Sequence, residues 1–202
     1  MLNRIRDRIE PAMNNLGLKF ASTGLSPNFW TSLGFGISIA SAGAYAGASM
    51  GLEYAVLYGG ILLLVSGFFD IVDGSVARAT KRVSRRGAFL DSTLDKVAEI
   101  IIFLGIAYGA LADPIIVLVA LALSLLVSYT RARAESLGIE LKGVGIGERA
   151  ERLIIIAAFS IGGVVLGIEG ATQYGIVIVA IVAGITFIQR VAAVLSHLRN
   201  NN

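Results

Sequence analysis

The chain has 202 residues, of which 55% are hydrophobic and only 15% charged, with a mean hydropathy of +0.77. So apolar a composition excludes a soluble globular domain of this size. With no cysteine and a single histidine, His197, disulfide scaffolds, thiolate or imidazole metal sites and Cys/His nucleophiles are excluded, so any bound metal must rest on oxygen ligands.

At the start of the chain, Leu2, Ile5, Ile9, Met13 and Leu16 recur at helical spacing. Arg4, Arg6, Asp7, Arg8 and Glu10 interrupt any apolar core, which argues against a signal peptide. The pattern predicts a helix over 1–20 lying on the inner membrane surface, with a short solvated helix packed on the loops as the alternative. Six apolar segments follow, at about 28–49, 54–72, 88–112, 114–130, 152–168 and 171–194, several of them long enough for a membrane span. The helices that carry them are predicted over 28–49, 54–79, 86–112, 114–137, 148–168 and 171–197. Gly43, Gly47 and Gly51 form a ladder at every fourth residue, the kind of seam that lets membrane helices approach closely.

Charge fixes the expected orientation. The links 49–53, 110–114 and 168–173 carry Glu53, Asp113 and Glu169 and no basic residue, so all 17 lysines and arginines fall on the other side. Basic segments stay cytoplasmic, which places both termini inside. The expected fold is therefore an all-α integral membrane protein, a single domain over 1–202, with six transmembrane helices behind an interfacial amphipathic helix. It is expected in the cytoplasmic membrane with its site facing the cytoplasm, and no nucleic-acid partner is expected.

The chemistry lies between residues 70 and 95. On a helix continuing the second span, Asp70, Asp73, Gly74 and Ala77 fall at i, i+3, i+4 and i+7, one face. On the third, Gly87, Asp91 and Asp95 fall at i, i+4 and i+8. A short loop joins the two helices, which are expected to be antiparallel neighbours with their inner ends together. A carboxylate within a span costs about 2.5 to 3.5 kcal/mol on insertion scales, and four together repel one another unless cations neutralise them. Two divalent ions would match four carboxylates, and oxygen ligands suit magnesium, manganese or calcium. Such a pair can clamp a phosphate and its leaving oxygen. Pairing of the aspartates with nearby arginines, as a solvated rim, is the bland alternative; it leaves Gly74, Ala77 and Gly87 unexplained. For Arg82, Arg85 and Arg86 the positive-inside bias is explanation enough.

The run Asp70-Ile-Val-Asp73-Gly74-Ser-Val-Ala77-Arg78, eight residues, then Gly87-Ala-Phe-Leu-Asp91-Ser-Thr-Leu-Asp95 resembles the full signature of the CDP-alcohol phosphotransferases. The resemblance implies transfer of a lipid phosphate from a CDP-lipid, CDP-archaeol or CDP-diacylglycerol, to an alcohol with release of CMP. It implies two divalent ions, Mg2+ or Mn2+, on Asp70, Asp73, Asp91 and Asp95, with Asp95 also the base for the acceptor hydroxyl. Gly74, Ala77, Arg78 and Gly87 would cradle the cytidine diphosphate, with Ser84 a further contact. Asn28, Phe29, Trp30 and Thr31, in a Pro-Asn-x-x-Thr segment, would also face the nucleotide. A homodimer is implied as well.

A second basic cluster bears on the acceptor: Ser128, Arg131 and Arg133, then Arg149 and Arg152, then Arg190. Arginine forks match phosphate oxygens in pairs, so converging arginines suit an acceptor that carries phosphate. Topology, with Glu135, Glu148 and Glu151 as partners, is the alternative for any single arginine. The segments Ser-Tyr-Thr-Arg-Ala-Arg-Ala-Glu and Glu-Arg-Ala-Glu-Arg-Leu-Ile resemble those of prokaryotic phosphatidylinositol-phosphate synthases, above all the archaetidylinositol-phosphate synthases. That resemblance implies inositol phosphate as acceptor, its phosphate bound by Ser128, Arg131, Arg152 and Arg190, and by Arg133 and Arg149 as well. A glycerol-3-phosphate or serine transferase of the same family is the nearest rival. A divalent-cation transporter is the rival of another class; against it, the acids sit at helix ends and no repeated half carries a second copy of the motif.

Overall fold

The computed structural model describes Met13 and residues 15–141 and 143–200. The described residues are all helix and loop, with no strand among them. Helix α1 covers 15–21, so most of the predicted interfacial helix, including Leu2, Ile5 and Ile9, lies outside the described residues. Six longer helices follow: α2 (Pro27–Gly47), α3 (Ala55–Ala79), α4 (Arg85–Tyr108), α5 (Pro114–Ser136), α6 (Arg149–Leu166) and α7 (Ala171–Asn200). A 3-10 turn, Ala48–Met50, extends α2.

Local chemistry sets the ends. Ser26 caps α2 by accepting from the Phe29 amide at 3.3 Å, with Pro27 in the first turn where its missing N–H costs nothing. Asp113 does the same for α5, accepting from Ile115 and Ile116 ahead of Pro114. Ser84 caps α4 through the Gly87 amide at 3.0 Å. Gly167, at φ +68°, closes α6 in the left-handed conformation that glycine adopts without strain.

Helix α2 is the central element: α3 packs along one side of it and α4 along another, while α3 continues onto α6, and α7 joins α6 to α5. The expected direct α3–α4 pairing is therefore replaced by one in which both take their main backbone contacts from α2. Small residues make this close packing possible. A Cβ on Gly105 of α4 would run into the Ala42 carbonyl of α2, and one on Gly34 would press on Phe69 of α3. Hydroxyls stitch the same seam, with Ser41 donating to the Gly59 carbonyl at 2.7 Å and Ser66 to that of Gly34 at 3.1 Å. The Gly43–Gly47–Gly51 ladder is not the seam. Gly43 faces open space, Gly47 abuts Leu52 of its own turn, and Gly51 serves the turn with φ +72°. The ladder has the right spacing but runs off the end of the helix, whereas the buried face of α2 carries Gly34, Ser38, Ser41, Ala42 and Tyr45.

The apolar core lies mid-bundle around Tyr45, Leu63, Phe103, Ile106, Ile156 and Ile176. Outside it, large apolar side chains such as Ile115, Leu118, Val165, Leu166 and Ile188 face outward. An outer surface of that kind belongs in lipid rather than water. Helices α3, α5 and α7 are long and apolar enough to cross a membrane, with mean hydropathies of 2.1, 2.1 and 2.2. Charged residues interrupt the apolar run in α4 from Asp91 to Glu99 and in the first turn of α6 from Arg149 to Arg152. The links that lack basic residues gather at one end of the bundle, where residues of the 110–111 and 167–172 segments line a common cavity.

The α2–α4 seam tolerates no side chain at its narrowest point. Gly105→Val should destabilise the protein by about 3 kcal/mol, the upper range for overpacking a closed interface, and lower the melting temperature in detergent. Wild-type melting of this variant would show that α4 can stand off from α2.

Candidate active site

At the other end of the bundle, the last turns of α3 and the first turns of α4 deliver the four aspartates. Each pair is one turn apart on its helix, so both members project from the same face. One oxygen each from Asp70, Asp91 and Asp95 lies within 4.8 Å of the other two. At that spacing two ionised carboxylates repel by roughly 3 kcal/mol at an effective dielectric of about 20. The structure answers with a cation: Arg149 Nη1, from α6, stands 2.9 Å from Asp70 Oδ2 and 2.7 Å from Asp95 Oδ1. Asp91 Oδ1 is buried without a hydrogen-bond partner. Asp73 stands apart from this trio, buried at 5% exposure, and accepts a 2.6 Å hydrogen bond from Thr31 Oγ1 of α2.

This donor set fits a hard divalent cation. Every ligand atom is a carboxylate oxygen, one is an orphan, and a guanidinium already occupies the place where positive charge is needed.

Two cavities meet at the aspartates. The smaller, about 230 Å³, is lined by Asn28 and Thr31 of α2, Gly74, Ala77 and Arg78 of α3, and Ser84 and Gly87 at the start of α4, with Asp73 and Asp91 at its end. A Cβ on Gly87 would lie 3.0 Å from Ser84 Oγ, so glycine keeps the cap and the cavity open together. Arg78 is steered by its Nη2, which donates to Ser75 Oγ at 3.2 Å. Phe29 and Trp30, expected beside these residues, are not in the lining. On α2, Asn28 and Thr31 are three apart and share a face, while the two residues between them turn away. Trp30 stacks on Phe69 at 5.7 Å and meets Phe20 edge-on at 5.0 Å, tying α1 and α3 to α2; Phe29 is exposed beside it.

The larger cavity, about 800 Å³, opens from Asp70, Asp91 and Asp95 towards α5, α6 and α7. Ser128, Arg131, Arg149, Arg152 and Arg190 all line it. Arg133, two residues beyond Arg131 and so on the far side of α5, is exposed and donates to Ser136 Oγ at 3.3 Å. The lining arginines differ in how committed they are. Arg131 pairs with Glu135 at 2.9 Å on a solvated surface. Arg190, buried, donates from Nε to the Val144 carbonyl at 3.0 Å and from Nη1 to that of Val127 at 2.9 Å, so it ties the 137–148 loop and α5 to α7. Arg152, buried on α6, spans Glu99 Oε1 of α4 with Nε at 3.2 Å and Nη2 at 2.7 Å, and reaches the Gly147 carbonyl from Nη1 at 3.0 Å.

Two residues of this cavity's surroundings are not among those expected from the sequence, Lys96 in its lining and Glu99 beneath it. A signal was available: Glu99 continues the Asp91, Asp95 face at i+8 and i+4, a carboxylate inside an otherwise apolar helix.

Residues 25–194 match the family model for CDP-alcohol phosphatidyltransferase. The chain belongs to this family. It is thus an enzyme, a CDP-alcohol phosphotransferase of the membrane. It is 40% identical over 191 residues to the archaetidylinositol phosphate synthase of Pyrococcus horikoshii, with 95% of each chain covered. Two solved structures of the Mycobacterium tuberculosis phosphatidylinositol phosphate synthase superpose on it. The one with CDP-DAG bound gives a TM-score of 0.74 at 29% identity, covering 90% of this chain and 92% of the other. The one in complex with manganese and citrate gives 0.75 at 28% identity, covering 91% and 88%.

A divalent ion held by this cluster would compete with Arg149 for Asp70 and Asp95. Removal of the guanidinium in Arg149→Ala should therefore tighten Mn2+ binding to the substrate-free phosphotransferase several-fold, read from the free-Mn2+ signal in electron paramagnetic resonance. Unchanged or weaker binding would mean that the guanidinium does not compete for the site.

Proposed function

We propose that the enzyme transfers the lipid phosphate of a CDP-lipid, CDP-archaeol or CDP-diacylglycerol, to a hydroxyl of myo-inositol phosphate, releasing CMP. The observation that carries this reading is the meeting of two cavities at one carboxylate cluster, with Asp91 in the lining of both. A narrow one holds the family's signature residues, and a wide one is lined with arginines. The relatives named for inositol phosphate lipid synthesis support the acceptor, and the CDP-DAG-bound neighbour supports the donor.

Asn28, Thr31, Gly74, Ala77, Arg78, Ser84 and Gly87 bind the cytidine diphosphate in the narrow cavity. Asp70, Asp73, Asp91 and Asp95 would hold two divalent ions, magnesium or manganese, whose charge offsets that of the pyrophosphate. Thr31 keeps Asp73 oriented through its hydroxyl. Ser128, Arg131, Arg149, Arg152 and Arg190 orient the acceptor from the wide cavity, with Arg152 and Arg190 acting largely through the walls they brace. Asp95 takes the proton of the acceptor hydroxyl as its oxygen attacks the lipid phosphorus; the bond to CMP breaks and CMP leaves with the electron pair. A positioned carboxylate matters because a hydroxyl is a poor nucleophile at neutral pH.

In this reading all six long helices span the cytoplasmic membrane as one domain, with both termini and the site on the cytoplasmic side. The distribution of all 17 basic residues outside the links of the opposite end supports that orientation. The family resemblance favours a homodimer.

Purified enzyme with CDP-archaeol or CDP-diacylglycerol and Mg2+ or Mn2+ should release CMP with myo-inositol phosphate, and not with glycerol 3-phosphate, serine or free inositol. CMP release with one of those instead would withdraw the arginine assignment while leaving the carboxylates in place. Asp95→Asn should abolish turnover, by about a hundredfold or more for the loss of a general base, while retaining CDP-lipid binding. Substantial activity in that variant would remove Asp95 as the base.

A further inference from the structure

Ser75 stands between Gly74 and Ala77 but is not one of the signature's fixed positions. It is buried at 2% exposure on α3 and lies outside the lining of the narrow cavity. Its hydroxyl donates to the Ile71 carbonyl at 2.8 Å, one turn back, which leaves the oxygen available as an acceptor. Bonding of that kind does not strengthen a helix, and alanine suits a buried helical position at least as well. What the serine adds is a partner for Arg78, whose Nη2 donates to its Oγ at 3.2 Å.

That bond fixes where the guanidinium lies. Arg78 Nη1 sits over Gly74, 3.4 Å from the place a Cβ would take, while Nη2 is tied to Ser75. The planar fork is laid back along α3 by one turn, and among the described residues it has no other hydrogen-bond partner. Its remaining N–H donors are left for the narrow cavity, whose wall Arg78 forms. A long side chain loses rotamer freedom when it binds a charged ligand, and holding it in place beforehand removes that cost.

Helix α1 covers the same serine. Gly17 is buried against it so closely that a Cβ there would lie 2.6 Å from the Ser75 carbonyl oxygen and 3.2 Å from the Ser75 Cβ. Leu16, Phe20 and Ala21 pack on the neighbouring core of Trp30, Val72 and Val76. The Ser75 hydroxyl is thus shielded from water, which would compete for Arg78, and a shielded hydrogen bond is the stronger one.

We propose that Ser75 is a positioning residue for the donor: it aims Arg78 at the cytidine diphosphate, and α1, seated on Ser75 through Gly17, holds that aim. The short helix ahead of the first span is then a working part of the donor site as well as a surface element. This assignment rests on the reading of the narrow cavity as the seat of the cytidine diphosphate.

The test is a double-mutant cycle on the full-length enzyme, read as the Kd for CMP in the presence of Mg2+ and as the KM values for CDP-lipid and acceptor. Ser75→Ala should weaken CMP binding and raise the CDP-lipid KM about fivefold, the effect of one intramolecular hydrogen bond, with the acceptor KM and the melting temperature at wild-type values. In an Arg78→Ala background the same substitution should change nothing further, because Ser75 acts through that guanidinium. Gly17→Val should weaken CMP binding in the same direction by lifting α1; should it fail to fold, the Ser75 cycle still decides. Equal losses from Ser75→Ala in both backgrounds, or none in either, would overturn the positioning role. A folded Gly17→Val enzyme with wild-type CMP affinity would overturn the part assigned to α1. CMP binding that survives Arg78→Ala unchanged would overturn the reading of the narrow cavity along with the proposal.

Discussion

Negative charge gathered at the edge of an apolar bundle is the constraint on which this structure turns. Three carboxylate oxygens lie within 4.8 Å of one another, a fourth aspartate is buried close by, and such a set is stable only with cations or protons among its members. The fold supplies some of that positive charge itself through Arg149, which reaches from α6 to bridge α3 and α4. The rest is the reason the site suits divalent ions. The same pressure explains the position of the cluster. At the ends of α3 and α4 a charged ligand can arrive from water, whereas at mid-bundle every ion would have to be stripped of its hydration.

The bundle is arranged so that these ends can meet without α3 and α4 packing against each other. Helix α2 wedges between them, and its small face brings both backbones close. This has a chemical consequence. Thr31 lies on the same helix, and its hydroxyl holds Asp73 at 2.6 Å; Asn28, one turn earlier, completes the wall of the narrow cavity. The scaffold element is thus also a site element. Trp30, on the opposite side of that turn, fastens it to α1 and α3 through ring contacts.

The wide cavity is built on a different principle. Its walls come from α4, α5, α6 and α7, whose inner ends are joined by polar ties instead of tight backbone packing. Arg190 holds the loop before α6 and the Val127 carbonyl within α5, Thr186 accepts the Gly147 amide at 3.0 Å, and Arg152 joins Gly147 to Glu99. Ties of this kind leave a space of about 800 Å³ open at the carboxylates, large enough for a polar acceptor. They also place several cations around it whose first duty is to the protein.

Much of this was legible in sequence because helical periodicity is local. The spacing of Asp70 with Asp73, and of Asp91 with Asp95, puts each pair on one face whatever surrounds it, and apolar run lengths mark the helices. Caps at Ser26, Ser84 and Asp113 act within their own turns, so the helix starts followed closely. What failed were inferences about neighbours. The glycine ladder had seam spacing but no partner, Phe29 and Trp30 shared a motif with Asn28 and Thr31 but not their face, and α3 and α4 were adjacent in chain but separated by α2. Sequence by itself determined the membrane class, the helices and the four aspartates, since each follows from composition or from spacing along one helix. Only tertiary structure decided which arginines face the cavity with their charge engaged and that Lys96 and Glu99 belong beside them. An ion pair depends on which helices pack together, and that is set by contacts between residues far apart in the chain.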